Sequence, residues 1–389
     1  MTAGPDGEVL LARAYLSRVA EPPAAALVAF VAELGPVEAA ARVRRGEVPE
    51  AVASQTSARR EVDRACVDLE AAAAVGARLV TPEHEEWPRW PFASCLASGV
   101  PELAPPLALW VRGPGDVGRL SERAVAIVGA RQASSYGLHV AGELAAGVAD
   151  RGFTVVSGAA IGIDGAAHRG ALAVEGPTAA VLACGIDRAY PAAHDTLLAR
   201  IADTGAVVSE YPPGAVPARH RFLVRNRLIA ALGGGTVVVE AGLRSGARRT
   251  AGDSAALGRA VMAVPGRVTD GSAAGCHRLI QEEGAVLVTR SEEVLEIVGR
   301  IGVDLVDAPE PRGALGPVDG LDPVAARVHD ALPSRAARDT RWLAMEAALS
   351  RDAVRTALVE LERRGLAEHH EGRWRRPATT WSTTGRGGA

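Results

Sequence analysis

Ala124-Val125-Ala126-Ile127-Val128-Gly129-Ala130-Arg131-Gln132-Ala133-Ser134-Ser135-Tyr136-Gly137 reads as a buried strand, a glycine turn and the start of a helix. A short apolar, β-branched run closed by glycine is a strand signal, and serine before an amphipathic stretch is a helix start. The same unit recurs outward along the chain. Thr154-Val155-Val156, Ala179-Ala180-Val181-Leu182, Val207-Val208, Val237-Val238-Val239, Val261-Met262-Ala263-Val264 and Val286-Leu287-Val288 are separated by helical stretches. Strands alternating with helices predict an α/β fold: a doubly wound, mostly parallel sheet. Such sheets take ligands beyond the carboxyl ends of their strands.

The flanks have a different character. Residues 1–75 carry apolar positions at helical spacing, punctuated by Gly35-Pro36 and Gly46, and predict a small helical domain of the SAM or helix-hairpin-helix kind. Within 76–300, the stretch 76–122 is rich in Pro and Trp and predicts an irregular cover leading into the sheet. Residues 301–322 (Asp-, Pro- and Gly-rich) predict a linker. Residues 323–376 predict three helices and a small β-wing, the order of a winged helix, with Ser350 capping the third helix. Residues 377–389 predict a disordered tail.

Composition limits the function classes. The chain has 389 residues, 48% of them hydrophobic but only 4% aromatic, so Ala and Val must fill the cores. All 43 basic residues are arginine, and the formal net charge is −3. Any anion site is therefore a local patch whose contacts are planar and permanently charged. Cys66, Cys95, Cys184 and Cys276 are scattered, without zinc or C-x-x-C spacing, and predict free thiols in a reducing cytoplasm. No signal-peptide pattern and no 18-residue apolar run occurs, which predicts a soluble intracellular protein with no membrane role. No metal site and no cofactor are expected.

The loops after the strands carry the chemistry. Gly129-Ala130-Arg131 leads into a helix N-terminus, where backbone N–H groups favour a phosphate and Arg131 supplies a fork. Arg131 stands where a dinucleotide fingerprint has its second glycine, which argues against NAD. Ser157-Gly158-Ala159-Ala160-Ile161-Gly162-Ile163-Asp164 lets backbone approach a ligand closely. Asp164 and His168 share a helical face, either as an acid/base pair or as structural hydrogen-bonding groups. Ser245-Gly246 opens a further helix. Phe222-Leu223-Val224-Arg225-Asn226-Arg227 sits between two strands on a helix, and two readings are open. Phe222 could be a buried ring with solvated arginines beside it, or a base-stacking platform with phosphate-holding arginines. Arg219, Arg221, Arg225 and Arg227 make this the most basic stretch of the α/β domain. A row of such loops on one sheet edge suits a strand of nucleic acid.

These residues resemble the DNA-processing protein A family, DprA, also called Smf. The resemblance rests on Gly129-Ala130-Arg131, Ser157-Gly158-Ala159-Ala160-Ile161-Gly162-Ile163-Asp164 with Ala167-His168, Tyr190-Pro191, and Ser209-Glu210-Tyr211-Pro212. It continues through Phe222 with Arg225-Asn226-Arg227, Val239-Glu240-Ala241, Ser245-Gly246, Gly258-Arg259 and Val264-Pro265-Gly266. It implies an extended Rossmann-like domain that binds single-stranded DNA, protects incoming DNA and loads the RecA recombinase during natural transformation. It also implies a homodimer through that domain and no enzymatic activity. Gly129, Arg131, Ser157, Gly158, Phe222, Arg225, Asn226, Arg227, Ser245 and Gly246 carry over as DNA-contacting positions. Arg219 joins them from the basic stretch. Arg248 joins from a departure: Arg248-Arg249 replaces the family's apolar pair and would either extend the groove or mark a different register on the nucleic acid. Ala130 and His194 depart from the family's Ser and Asn.

Two further expectations accompany this reading. Gly233-Gly234-Gly235-Thr236 followed by Glu240 faintly resembles the loop of phosphoribohydrolases, which makes a nucleotide-processing enzyme the alternative. The C-terminal unit would contact either duplex DNA or a protein, through Arg351, Arg355, Arg363 and Arg364 on its third helix and Arg373, Arg375 and Arg376 in its wing.

Overall fold

Helical spacing in the first part of the chain becomes α1 (Gly7–Val19), α2 (Ala25–Leu34), α3 (Pro36–Arg45), α4 (Glu50–Thr56) and α5 (Ala65–Ala74). This computed structural model describes residues 7–300, 304, 318 and 320–377. Most of the expected linker and all but the first residue of the expected tail lie outside them. The chain divides into two compact units, residues 1–307 and 308–389.

The Pro- and Trp-rich stretch is more regular than its composition suggested. It supplies β1 (Ala77–Val80), α6 (Arg89–Ala97), β2 (Leu109–Arg112) and α7 (Val117–Glu122). The two strands pair antiparallel, and β2 pairs antiparallel with a strand of the main sheet. Four-residue strands bounded by proline leave too short an alternation to stand out in sequence, and Trp110, fully buried, is part of what fixes the pairing.

The remaining strands are β3 (Ala124–Val128), β4 (Thr154–Ser157), β5 (Thr178–Leu182), β6 (Ala206–Ser209), β7 (Gly235–Val238), β8 (Ala260–Ala263) and β9 (Val286–Leu287). Their connecting helices are α8 (Ser135–Asp150), α9 (Ile163–Ala173), α10 (Asp195–Thr204), α11 (Arg219–Leu232), α12 (Gly246–Ala256) and α13 (Ala274–Glu282), with α14 (Ser291–Val298) last. The nine strands form one sheet in the order β1-β2-β6-β5-β4-β3-β7-β8-β9, parallel from β6 to β9. Helices α8, α9 and α14 pack on one face over Val125, Ile127 and Val155. The α1–α5 layer and α10 join that face further along, over Ala180, Leu182 and Val207. Helices α6, α11, α12 and α13 cover the other face. Buried on both faces, the central strands read as continuous apolar runs, which is why they were visible in the sequence.

The strand order reverses beside β3. Crossovers run outward through β4, β5 and β6, then resume on the other side with β7. A crevice therefore opens beyond the carboxyl ends of β3 and β7, where doubly wound sheets hold ligands.

The C-terminal unit contains α15 (Pro323–Ala331), β10 (Arg338–Asp339), α16 (Thr340–Glu346), α17 (Arg351–Arg363), β11 (Glu368–His370) and β12 (Arg373–Arg375). Its small sheet has the order β10-β12-β11, and Val328, Leu343, Val354 and Leu361 form its core. Asp322, Asp339 and Ser350 cap the three helices with side-chain acceptors. Glu360 takes both Arg363 and Arg364, and these hydrogen bonds hold its carboxyl down at about 2. Arg375 pairs with Glu368. Much of the basic charge expected to face a partner is thus already matched within the unit.

Candidate nucleic-acid interface

The crevice beyond β3 and β7 is a cavity of about 620 Å³, lined by residues of the Gly129 loop, the Ser245 loop and α11. Backbone hydrogen bonds lace its walls together. Ala130 N–H donates to Glu240 O at 2.6 Å, and Ile163 N–H donates to Ala130 O at 3.2 Å. Gly129 is needed here, because a Cβ would lie 2.8 Å from Ile163 Cβ and 2.9 Å from Glu240 O.

Asp164 is the hub beneath these loops. One of its oxygens accepts from Gly158 N–H at 3.2 Å and Ala160 N–H at 3.4 Å, and Gly129 N–H also points to it. Full burial raises its pKa, opposed by the Arg225 charge and by these N–H groups. Asp164 does not pair with His168. The buried His168 ring places Nδ1 2.7 Å from Thr178 Oγ1, which itself donates to Val155 O at 2.8 Å. The hydroxyl proton is committed, so Nδ1–H is the donor. Of the two open readings, the structural one describes both groups.

Burial, reinforced by nearby His194, Arg225 and Arg169, pushes His168 down to about 3. The unfolded chain takes up this proton near its ordinary pKa of 6.5, whereas the folded chain resists until about 3. His168 thus contributes stability above pH 6.5 that is lost progressively as pH falls toward 3. Urea unfolding is expected to show a loss of about 1.5 kcal/mol between pH 6.5 and 5 from this group. The same titration of His168→Gln should be flatter by that amount, and parallel curves would refute the assignment.

The cavity carries an aromatic and cationic wall. The Phe222 ring lies 5.3 Å from the Tyr190 ring at an interplanar angle of 44°. Arg131 Cζ stands 5.0 Å from the Phe222 centroid. Arg131, Arg219 and Arg244 form no ion pair with any described residue, so their charge is available. Ser245 caps α12, and its Oγ accepts from Ala247 N–H at 3.3 Å. Asn226 Nδ2 donates to Gly246 O at 3.3 Å, joining α11 to this helix start. Gly129, Arg131, Phe222, Arg225, Asn226, Ser245 and Gly246 therefore meet around one cavity.

The structure does not bring the other expected positions to the cavity wall. Ser157 is buried and donates to Ile127 O at 2.6 Å. Gly158 lies behind the wall, where its carbonyl accepts from Arg225 Nη1 at 2.8 Å and a Cβ would collide with that guanidinium. Arg225 borders the cavity, but its Nη1 is spent on Gly158 O and Val181 O. Arg227 is buried in an ion pair with Glu210 at 2.7 Å. Arg219 is exposed at the start of α11, outside the cavity lining. Arg248 pairs with Glu283 and donates to Leu243 O. Arg249 pairs with Asp253, so the Arg248-Arg249 departure serves internal carboxylates. His194 hydrogen-bonds Ala159 O at 2.9 Å. The basic approach to α11 is also engaged: Arg221, His220 and Arg59 converge on Glu21. Burial alone would raise that carboxyl, but hydrogen bonds from the three hold it at about 2.

Two contributors were not singled out from sequence. Arg244 lines the cavity, and its place between Gly242 and Ser245 was a usable signal. Tyr190 was read only as part of a motif, and its ring contact with Phe222 is purely tertiary. Gly233 and Gly234 precede β7, and Gly234 N–H bonds Ala124 O at the start of β3. That glycine run lies at the opposite end of the strands from the cavity. Glu240 Oε2 accepts from Ser134 N–H and Oγ–H at 2.9 and 3.2 Å. All four cysteines are free, and only Cys66 is exposed. Among the described residues no cluster of metal-ligating side chains occurs, and no helix is long and apolar enough to cross a membrane.

A doubly wound sheet with two loops, arginines outside any described ion pair and a ring pair at its switch point defines a Rossmann-like protein. The family described as DNA recombination-mediator protein A matches residues 78–299. A Mycobacterium tuberculosis protein named as a DNA processing protein DprA is 53% identical over 365 residues, 93% of each chain. Streptococcus pneumoniae DNA processing protein DprA is 42% identical over 190 residues, 49% of this chain and 66% of its own. The crystal structure of DprA from Streptococcus pneumoniae superposes with a TM-score of 0.61 at 28% identity, covering 76% of this chain and 99% of its own. The chain belongs to the DNA recombination-mediator protein A (DprA/Smf) family.

Proposed function

We propose that this protein binds single-stranded DNA without cutting it, and delivers the strand to the RecA recombinase during natural transformation. The observation that carries the reading is the Arg131–Phe222–Tyr190 cluster beside the cavity at the sheet's switch point. Rings open to the crevice accept any base face, and unpaired guanidinium groups take the intervening phosphates. Membership of a recombination-mediator family supports the same reading, including action in the cytoplasm as a homodimer through the α/β unit. Asp164 at the cavity is spent on backbone N–H groups, Ser245 on capping α12, and Glu240 on the α8 cap, which favours holding a strand over processing a nucleotide. The C-terminal unit, read as a winged helix, serves duplex DNA or a protein partner.

The test is a salt titration of oligo-dT binding by fluorescence anisotropy. Each phosphate contact contributes about −0.7 to the slope of log K against log salt. The double variant Arg131→Ala, Arg244→Ala should lower the slope by about 1.4. An unchanged slope would remove both arginines from the phosphate path, and strand cleavage by the purified protein would overturn the non-catalytic reading.

A further inference from the structure

A second cavity of about 650 Å³ adjoins the first. The Gly129–Tyr136 loop separates the two: Gly129, Arg131 and Gln132 face the first, whereas Ser134, Ser135 and Tyr136 face the second. Ser272 borders both. The second cavity differs in chemistry. Its wall is the Tyr136 ring, 53% exposed yet held in place by its hydroxyl, which donates to Pro265 O at 3.0 Å. The Pro265-Gly266 turn is pinned in turn by His277, whose Nε2 lies 3.0 Å from Gly266 O. An exposed aromatic ring anchored at its far end is a preformed platform that loses little entropy on stacking. Also lining this cavity is Glu240, 95% buried by its 5% relative exposure. Its Oε2 is committed to Ser134, and among the described residues nothing donates to Oε1. Asp270 adds a second carboxylate at the rim.

Carboxylates repel phosphate and only accept hydrogen bonds. A ring platform beside a carboxylate with one oxygen committed to Ser134 and the other left to the cavity suits a planar group that presents N–H donors. Resting on the strand-binding reading above, we propose that the second cavity is a nucleobase subsite. The strand passes over Ser272, one base stacks on Tyr136, and its exocyclic amino group donates to Glu240 Oε1. Cytosine offers that amino group, whereas thymine presents a carbonyl in its place. The subsite therefore gives the protein a base preference that the first cavity, with its sequence-tolerant rings, does not supply.

The experiment compares fluorescein-labelled oligo-dC and oligo-dT of equal length on the full-length chain. Wild type should bind oligo-dC about tenfold more tightly, the scale of one hydrogen bond to a charged acceptor. Tyr136→Ala should weaken both by at least about fivefold and erase most of the preference. Glu240→Gln should erase the preference while leaving oligo-dT binding near wild type. Should that variant misfold through loss of its Ser134 contacts, Tyr136→Ala decides alone. Equal binding of the two oligomers by wild type, or wild-type behaviour of Tyr136→Ala, overturns the subsite. Phe222→Ala, measured alongside, separates the two claims. If it weakens both oligomers while Tyr136→Ala does not, the subsite falls and the strand-binding reading stands. If neither variant weakens binding, both fall.

Discussion

Arg227→Ala is expected to destabilise the α/β unit by about 3–5 kcal/mol, because it strands a buried carboxylate. Arg227 and Glu210 have side chains only 2% and 7% exposed and lie 2.7 Å apart. Removing the cation leaves Glu210 in an environment that already raises its pKa through burial, now without the Arg227 charge that opposes the rise. The carboxyl would protonate or draw in water, and either adjustment costs stability. Thermal unfolding of the unit should fall by roughly 10 °C. The pair is itself imperfectly satisfied: among the described residues, Glu210 Oε2 and Arg227 Nε and Nη1 have no hydrogen-bond partner. Replacing both residues with apolar side chains, as in Glu210→Leu with Arg227→Met, should therefore recover most of the loss. A single variant as stable as wild type would show that the pair is open to solvent. Any weakening of DNA binding by Arg227→Ala should vanish at temperatures where the variant is folded.

This result separates what the sequence could show from what it could not. The seven strands β3 to β9 were legible because each is a short β-branched run closed by a turn signal. The loops at Gly129 and Ser245 were legible because backbone chemistry at a strand end or helix start is local. Arginine roles were not. In a chain whose every cation is arginine, Arg131, Arg225 and Arg227 look alike, yet they end as a free fork, a clamp between two strand ends and half of a buried ion pair. The partners that decide this are Glu210, Gly158 and Val181, which lie 17, 67 and 44 residues away in sequence. The strands β1 and β2 were hidden for a related reason: their pairing is antiparallel, short and fixed by tertiary burial of Trp110.

Phe222→Ala should weaken single-stranded DNA binding by about 5- to 150-fold with little change in stability, the converse of Arg227→Ala. The range corresponds to roughly 1–3 kcal/mol for one base stacked on one ring. Stability should hold because Phe222 is only half-buried, and its ring contacts are Tyr190 and Arg131 on the open side of the crevice. Those contacts also give the ring its orientation. Tyr190 supports one side, and Arg131 stands within cation–π range. When a base arrives, Arg131 can turn its fork to the adjoining phosphate while the ring takes the base face. Truncating either residue should therefore remove part of the other's contribution. Arg131→Ala and Phe222→Ala together should cost less than the sum of the two alone. Strictly additive losses would mean that the ring and the guanidinium engage different nucleotides. Equal affinity of Phe222→Ala and wild type would mean that the base lies elsewhere along the crevice.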